Sequence, residues 1–181
     1  MQLEDKLITT LKKLGIPNVR FKVLFEKCEP TINGIDKINF VFSANPGLPL
    51  APLAETASGG EKSRVLLAVK AIFSSVDQSK LLIFDEIDSG VSGSVSSYVA
   101  NLLSDLSMHR QVFCVTHQPL IAAYADNHFS LKKTVIADKT KSTVLDLKEI
   151  ADRQRELALL AGGETLGANA YAASLLEHKA A

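Results

Sequence analysis

The chain has no excess of charge of either sign. Its 181 residues include 20 lysines and arginines against 20 aspartates and glutamates, so the formal net charge at pH 7 is zero. This balance argues against a domain coated with positive charge for nucleic acid, but it leaves room for a local basic patch. With 46% hydrophobic and 22% charged residues, the composition excludes a disordered or fibrous chain. The length is enough for one domain with a buried core.

Cysteines and long apolar runs are also scarce. The two cysteines, Cys28 and Cys114, lie far apart without metal-ligand spacing, which indicates reduced thiols inside a cell. No apolar run approaches the roughly 20 residues that span a bilayer. The first residues, MQLEDK, are charged and lack the apolar core of a signal peptide. We therefore predict a soluble, cytoplasmic protein with no membrane partner.

Apolar periodicity predicts a mixed α/β chain. The strand–helix–strand order over residues 80–115 predicts a βαβ crossover, and thus a mostly parallel core sheet flanked by helices, with additional antiparallel strands. The apolar strand at 80–84 is expected to be covered on both faces. The first predicted elements are a helix at 3–14, a hairpin of strands at 21–25 and 38–42 around a turn at Pro30–Gly34, and an exposed loop at 46–58. A helix at 60–75 comes next, followed by strands at 80–84 and 111–115 around a helix at 94–107. The last part of the chain is predicted to contain a short helix at 118–125, strands at 129–135 and 142–147 around a turn at Ala137–Lys141, and helices at 149–161 and 165–178.

Two of these helices carry clear apolar stripes. The stripe at 3–14 belongs either to an ordinary first helix or to the last turns of a longer coil, and Gly15 and Pro17 would end it. The helix at 60–75 is expected to have most of its surface covered. Its stripe consists of Val65, Val69, Ile72 and Val76, widened by Leu66 and Phe73.

Two carboxylates follow the apolar strand at 80–84. Ligands of such sheets bind beyond the carboxyl ends of the strands, so Asp85 is placed to hold Mg²⁺ directly or through a water. Glu86 points differently, and it could orient or deprotonate an attacking water. The alternative is a pair of solvated carboxylates at a strand end.

A serine and two glycines open the helix at residue 60. Unpaired backbone N–H groups and the positive end of the dipole make such a helix end attract phosphate. Gly59 and Gly60 would let an anion approach the backbone, and Ser58 would add a hydroxyl. The alternative is that Ser58 is an N-cap and that the glycines form a turn.

A histidine follows the next apolar strand. His117 follows the apolar strand at 112–115, and at the carboxyl end of that strand it would face the same crevice as Asp85 and Glu86. There it could hydrogen-bond a terminal phosphate or the attacking water. The alternative is a packed or surface histidine.

Together these blocks resemble the motifs of ABC-type ATPases. Ala57–Glu61 resembles the signature motif, Leu82–Glu86 the Walker B motif with its catalytic glutamate, and Thr116–His117 the switch histidine. Residues 87–93, IDSGVSG, occupy the place of the D-loop.

A narrower resemblance covers the chain from about residue 2 to its end. The phrases ASGGEKSR, LIFDEIDSGVSG and VFCVTHQP, with LLAGG at 159–163, resemble the C-terminal part of the RecN family. These bacterial DNA repair proteins are SMC-like, with a head ATPase and a short coiled-coil arm. Gln118-Pro119-Leu120 departs from the family, which has a second glutamine after the proline. The implied domains are residues 1–15, an arm end or leading helix, and residues 16–181, the C-terminal lobe of the head.

The resemblance also implies roles for the site residues, with ATP and Mg²⁺ as cofactors. Asp85 would hold Mg²⁺, while Glu86 and His117 would be catalytic in the same head. The residues implied to act in trans, on ATP bound by a second head, are Ser58, Gly59, Gly60 and Glu61, and those implied to lie at the dimer interface in the D-loop are Asp88 and Ser89.

One expected motif is missing. The chain has no Gly-x-x-x-x-Gly-Lys-Ser/Thr loop, because Lys62 precedes a serine but follows Glu61 rather than glycine. In the family this Walker A loop lies in the N-terminal lobe of the head. The implied partners are therefore that lobe, a second head and DNA, and the chain alone is expected to bind ATP weakly without hydrolysing it.

The function implied is ATP-gated head dimerisation that holds or tethers DNA during double-strand break repair, in the cytoplasm at the nucleoid. Two alternatives are a head lobe of another SMC-like or ABC-type ATPase and a non-catalytic interaction module with this fold. The presence of both Glu86 and His117 speaks against the non-catalytic module.

A lysine cluster around residues 129–147 is either a basic patch for DNA phosphates or a solvated hairpin. It comprises Lys132, Lys133, Lys139 and Lys141.

Overall fold

A computed structural model describes residues 2–32, 34–136, 139–163 and 165–180. The described residues up to Val115 form one compact unit, and those from Thr116 onward form a second. The helices are α1 Gln2–Lys13, α2 Leu53–Thr56, α3 Gly59–Ile72, α4 Ser94–Ser107, α5 Pro119–Ala123, α6 Ile150–Leu160 and α7 Leu166–Ala180. The strands are β1 Arg20–Thr31, β2 Gly34–Ser43, β3 Ala51–Pro52, β4 Leu81–Phe84, β5 Gln111–Cys114, β6 Phe129–Ile136 and β7 Lys139–Asp146.

Helix α1 forms where the leucine stripe predicts it. Leu7, Leu11 and Leu14 have no exposed surface, and the burial of each such side chain contributes about 1.5–3 kcal/mol. The helix packs against α3 and β1. The helix ends at Lys13, and Gly15 just beyond it has a φ of 82°, the left-handed conformation that follows many helices. The prediction of this first helix is confirmed.

The antiparallel hairpin of β1 and β2 is also confirmed. Phe21 pairs with Phe42 and Phe25 with Ile38, so one face of the hairpin carries a continuous apolar row. The row is buried at its base, at Phe21 and Phe42, and exposed towards the tip. Of the predicted turn at 30–34, Asn33 lies outside the described residues.

The prediction of an exposed loop over 46–58 is wrong in its second half. Strand β3 pairs with β2 through Val41 and Pro52, and α2 follows directly. The prolines favour this course instead of preventing it, because a proline fits an edge strand that makes few hydrogen bonds and also fits the N-cap of a helix. Pro52 takes both positions, with φ −52° at the start of α2.

The predicted βαβ unit is present. Strands β4 and β5 are parallel and in register from Leu81 opposite Gln111 to Phe84 opposite Cys114, and α4 makes the crossover. Leu82 and Phe84 are buried, but Ile83 is 63% exposed. The prediction that both faces of β4 are covered is therefore wrong for this chain, since alternation turns Leu81 and Ile83 to a face that stays exposed among the described residues.

The buried face of α3 matches the predicted stripe only in part, because Val65 is buried but Val69 and Ile72 are half-buried. Its buried residues are Gly60, Arg64, Val65, Leu67 and Ala68. Leu66 and Phe73 are exposed, and Val76 lies beyond the end of the helix and is 70% exposed. The prediction considered only apolar residues, but a glycine and an arginine occupy part of the buried stripe.

The second unit contains the helices and hairpin predicted for it. Helices α5, α6 and α7 pack around a core of alanines and leucines, which are Ala122, Ala123, Leu157, Ala158, Ala168, Ala172 and Leu175. Strands β6 and β7 are antiparallel; the predicted turn between them includes Ala137 and Asp138, which lie outside the described residues. Alternation places Lys132 and Lys141 on one face of this hairpin and Lys133 on the other, all exposed. Within the described ranges, no helix has the length and apolarity to cross a membrane.

A carboxylate network joins the end of α3 to the start of β5. Asp77 accepts hydrogen bonds from the Ser79 hydroxyl at 2.7 Å and from Arg110 Nη1 at 2.8 Å, with Lys70 Nζ at 3.0 Å. Arg110 also donates to the carbonyl of Ser74. The hydrogen bonds from Ser79, and then Lys70, hold the pKa of Asp77 well below its usual range.

We predict that Asp77→Asn lowers the Tm of the chain by several degrees at pH 7. Because the pKa of Asp77 is lower in the folded state, its ionised carboxylate stabilises the fold fully at pH values above its unfolded-state pKa of about 3.9. This contribution is lost as the pH falls through the folded-state pKa. The difference in Tm between wild type and variant should therefore narrow below about pH 4. Asp105→Asn, at an exposed position of α4, is the matched control. A difference in Tm that stays constant down to pH 2 would contradict this role.

Candidate functional site

Helix α3 begins with a complete capping box. The Ser58 hydroxyl accepts a hydrogen bond from the backbone N–H of Glu61 at 3.3 Å, and the Glu61 carboxylate accepts from the backbone N–H of Ser58 at 2.8 Å. The hydroxyl also donates to Glu61 Oε2 at 2.9 Å. A serine N-cap contributes about 1 kcal/mol to a helix. Ser58 is thus the N-cap that the sequence offered as an alternative. Its hydroxyl group already donates a hydrogen bond to the Glu61 carboxylate.

The carboxylates lie in a tight turn after β4, Asp85–Ser89, called here the acidic turn. Asp85 Oδ1 accepts from the backbone N–H of Glu86 at 2.9 Å, and the N–H of Ser89 donates to the carbonyl of Glu86 at 3.1 Å. Glu86 has φ 56°, which is the left-handed region and is unfavourable for a residue with a side chain. Since glutamate does not adopt this backbone without support, the surrounding contacts must hold the turn.

The two glycines of α3 pack directly on the acidic turn. A Cβ at Gly60 would lie 3.0 Å from Ser89 Cβ and 3.1 Å from the carbonyl oxygen of Glu86. A Cβ at Gly59 would collide with the Glu86 carboxylate. The glycines therefore let the first turn of α3 approach this turn closely, a reason for them that the sequence did not suggest.

Two further residues of α3, which the sequence patterns did not single out, bind the acidic turn. Ser63 Oγ donates to the carbonyl of Asp85 at 2.6 Å, and Arg64 Nη1 donates to the carbonyl of Ser89 at 2.7 Å. Arg64 is only 6% exposed. The available signal was its spacing, because Arg64 follows Gly60 by four residues and therefore shares its helix face.

Burial dominates the electrostatics of this region. It lowers the pKa of the Arg64 guanidinium, and the nearby Glu61 partly opposes this effect. Burial also raises the pKa of the Cys114 thiol to about 12, with smaller contributions from Asp88 and Asp85. Cys114 is therefore a packed thiol without nucleophilic character, in agreement with the prediction of reduced cysteines.

The structure thus brings together most of the predicted site. Gly59 and Gly60 lie against the acidic turn within the first unit, and Ser58 and Glu61 flank them at the start of α3. Asp85, Glu86 and Ser89 are exposed there, and Asp88 is buried. His117 belongs to the second unit, where its side chain is exposed. It lies just before α5, where the N–H of Gln118 donates to Thr116 Oγ1 at 3.0 Å.

The oxygen atoms near the acidic turn that could bind a metal suit Mg²⁺, which keeps waters and phosphate oxygens as ligands, better than a metal bound only by protein side chains. Among the described residues, no cluster of three or more histidines, cysteines or carboxylates could hold a metal. Mg²⁺ in phosphate-binding sites takes one or two carboxylates and fills its octahedron with waters and phosphate oxygens. One exposed carboxylate at Asp85 fits that pattern.

Comparisons with known proteins identify relatives of the chain. No protein-family model matches it. The DNA repair protein RecN of Synechocystis is 45% identical over 196 residues, which cover 99% of this chain and 34% of that protein. RecN of Treponema pallidum is 41% identical over 90% of the chain, and RecN of Rickettsia conorii is 42% identical over 91%.

The chain is a RecN-like sequence. It spans about a third of the length of the curated relatives that it matches, 34%, 29% and 30% of the three above. The narrower resemblance that the signature, Walker B and histidine phrases indicated is confirmed.

The fold of this RecN-like chain resembles that of solved Smc head domains. The Smc head domain with a coiled coil and joint from Pyrococcus yayanosii superposes with a TM-score of 0.60 at 21% identity, over 88% of this chain and 28% of that one. The Smc head domain with an extended coiled coil from Pyrococcus furiosus gives a TM-score of 0.52 at 22% identity, over 81% and 35%. The predicted fold class, a lobe of an ABC-type head, is confirmed.

We predict that Gly60→Ala destabilises this RecN-like chain relative to Gly59→Ala. Alanine favours a helix more than glycine does at both positions. Only a methyl group at Gly60 would meet a backbone carbonyl, that of Glu86, which accepts a hydrogen bond from the N–H of Ser89. Overpacking of this kind costs about 1–3 kcal/mol. At Gly59 the obstacle is the end of the flexible Glu86 side chain, which can move aside. Urea denaturation measures both variants, and equal stabilities would refute the proposed close packing.

Proposed function

We propose that this chain is the C-terminal ATPase lobe of a RecN-like DNA repair protein and that it completes an ATP site when two heads meet. The observation that carries the proposal is the docking of the α3 N-terminus on the acidic turn, within a RecN-like sequence. This docking puts an anion-attracting helix end, proposed for the nucleotide of a second head, beside the two carboxylates proposed for the nucleotide of its own head.

Three residues are proposed to act on the nucleotide of their own head. Asp85 would hold Mg²⁺, which neutralises phosphate charge when bound. Glu86 would orient or deprotonate the attacking water, and His117 would hydrogen-bond that water or the terminal phosphate. Both carboxylates are exposed, which supports access by a ligand.

The start of α3 is proposed to act on the nucleotide of the second head. Ser58 and Gly59 are exposed at the N-terminus of a helix of 14 residues, whose dipole and unpaired N–H groups favour a phosphate. Glu61 would contribute by holding Ser58, and Gly60 by allowing close approach. To donate to a phosphate oxygen, the Ser58 hydroxyl would exchange its present hydrogen bond to Glu61. Asp88 and Ser89 would lie near the same interface.

The missing Walker A loop is proposed to come from the N-terminal lobe of the same head. The exposed apolar face of the parallel pair, formed by Leu81, Ile83 and Phe113, supports a further layer of structure there, because parallel sheets are covered on both faces. The other proposed partners are a second head and DNA. ATP-gated pairing of the heads would hold or tether DNA during double-strand break repair, in the cytoplasm at the nucleoid.

The purified chain alone is predicted to show no Mg²⁺-dependent ATP hydrolysis, because the Walker A loop supplies much of the phosphate positioning. Mixing it with the N-terminal lobe should restore hydrolysis. Glu86→Gln in the mixture should lower the rate by about 10²–10⁴-fold, the usual contribution of a general base. Phosphate release measures each case. Hydrolysis by the chain alone that Glu86→Gln abolishes would contradict the division of the site between lobes.

A further inference from the structure

Both ends of the acidic turn are fixed by consecutive side chains of one helix. Ser63 donates to the carbonyl of Asp85 at the start of the turn, and Arg64 donates to the carbonyl of Ser89 at its end. Between these two contacts, Gly60 lies against the carbonyl of Glu86. The four-residue step from Gly60 to Arg64 puts these contacts on one face of α3.

The backbone between the fixed ends is strained. Glu86 has φ 56°, and a residue other than glycine in a sparsely populated backbone region costs on the order of 1–3 kcal/mol. Such a conformation persists only where neighbouring groups determine it. Two side-chain hydrogen bonds, from Ser63 and Arg64, reach the turn from outside it, one at each end. By holding the carbonyls on either side of Glu86, they help to set the direction in which the Glu86 side chain leaves the backbone.

Arg64 is a costly residue for a position that needs only packing. Its guanidinium is buried, and in the described part of the chain its Nε finds no hydrogen-bond partner. A leucine or methionine would fill the same stripe beside Val65 and Ala68 without burying a charge. The contact that only an arginine supplies here is the hydrogen bond to Ser89.

We propose that Ser63 and Arg64 are positioning residues that hold the acidic turn in the conformation that aims Glu86 at the reacting water. This inference rests on the proposed function, since it assigns Glu86 the role of base. Neither residue touches the nucleotide. Loss of either would let the turn relax from its strained backbone, and a misplacement of about 1 Å can cost about a hundredfold in rate.

The test uses the full-length RecN-like protein with Arg64→Met, Ser63→Ala and Ser63→Thr. Arg64→Met and Ser63→Ala should each lower the single-turnover rate at saturating ATP at least about tenfold, which corresponds to about 1.4 kcal/mol. ATP affinity should change less than about twofold, because the Walker A loop of the other lobe is proposed to supply most of the contacts to the nucleotide. Ser63→Thr keeps the hydroxyl and should recover most of the rate.

The matched control is Arg110→Met. Arg110 is a second buried arginine of the same unit and also donates to a backbone carbonyl, that of Ser74, but its contacts do not reach the acidic turn. This variant should lower the Tm at least as much as Arg64→Met while leaving the single-turnover rate of the folded protein unchanged. The comparison separates a loss of stability from a loss of positioning.

A double-mutant cycle tests whether Arg64 acts through Glu86. In a Glu86→Gln background, Arg64→Met should lower the residual rate by less than about twofold. The inference alone is overturned if Arg64→Met slows hydrolysis no more than Arg110→Met does, or if it slows the Glu86→Gln protein as much as the wild type. A wild-type protein without ATPase activity would overturn the proposed function, and this inference with it.

Discussion

The close packing of the first turns of α3 on the acidic turn is the interaction on which the rest of the site depends. It requires a residue without a side chain at Gly60, because any Cβ there would press on Ser89 and on the carbonyl of Glu86. It also requires Arg64, which buries a charge to reach the carbonyl of Ser89. The strained backbone of Glu86 is stable only because these contacts surround it.

Under the proposed function, the start of α3 contacts both the acidic turn of its own head and the nucleotide of a second head. One side of the helix end touches the acidic turn of its own head, and the exposed side, at Ser58 and Gly59, is available to a phosphate of another head. The capping box fixes the helix start, and the Glu61 carboxylate accepts hydrogen bonds from both the N–H and the hydroxyl of Ser58 beside the positive end of the helix dipole. The proposed γ-phosphate contact would therefore compete with Glu61 for one proton of Ser58.

Sequence patterns predicted the parts of the structure that local chemistry determines. The leucine stripe of α1, the alternation in β1 and β2, and the N-cap at Ser58 all depend on residues close in sequence. The strand–helix–strand order predicted the parallel pair for the same reason. The relationship to RecN could also be predicted, because the signature and Walker B phrases are long and occur in a fixed order.

The missed features depend on residues distant in sequence. Arg64 is one of many charged residues until the fold places Ser89 beside it, 25 positions later. The pairing of Pro52 with Val41 depends on a free edge of β2 that can accept a short strand containing proline, and the local proline pattern does not show that edge. The exposed face at Ile83 could not be predicted from an apolar strand, because the pattern does not show whether the covering layer belongs to the same chain.

The assignment of Ser58 and Glu86 to different ATP sites is tested most directly by ATP hydrolysis in covalently linked head pairs. One pair carries Ser58→Arg on one head and Glu86→Gln on the other, and a second pair carries both substitutions on one head beside a wild-type head. If Ser58 acts in trans, the first pair keeps one intact site and hydrolyses ATP, whereas the second pair has none. Hydrolysis by the second pair and not by the first would contradict the account and place Ser58 and Glu86 at the same nucleotide.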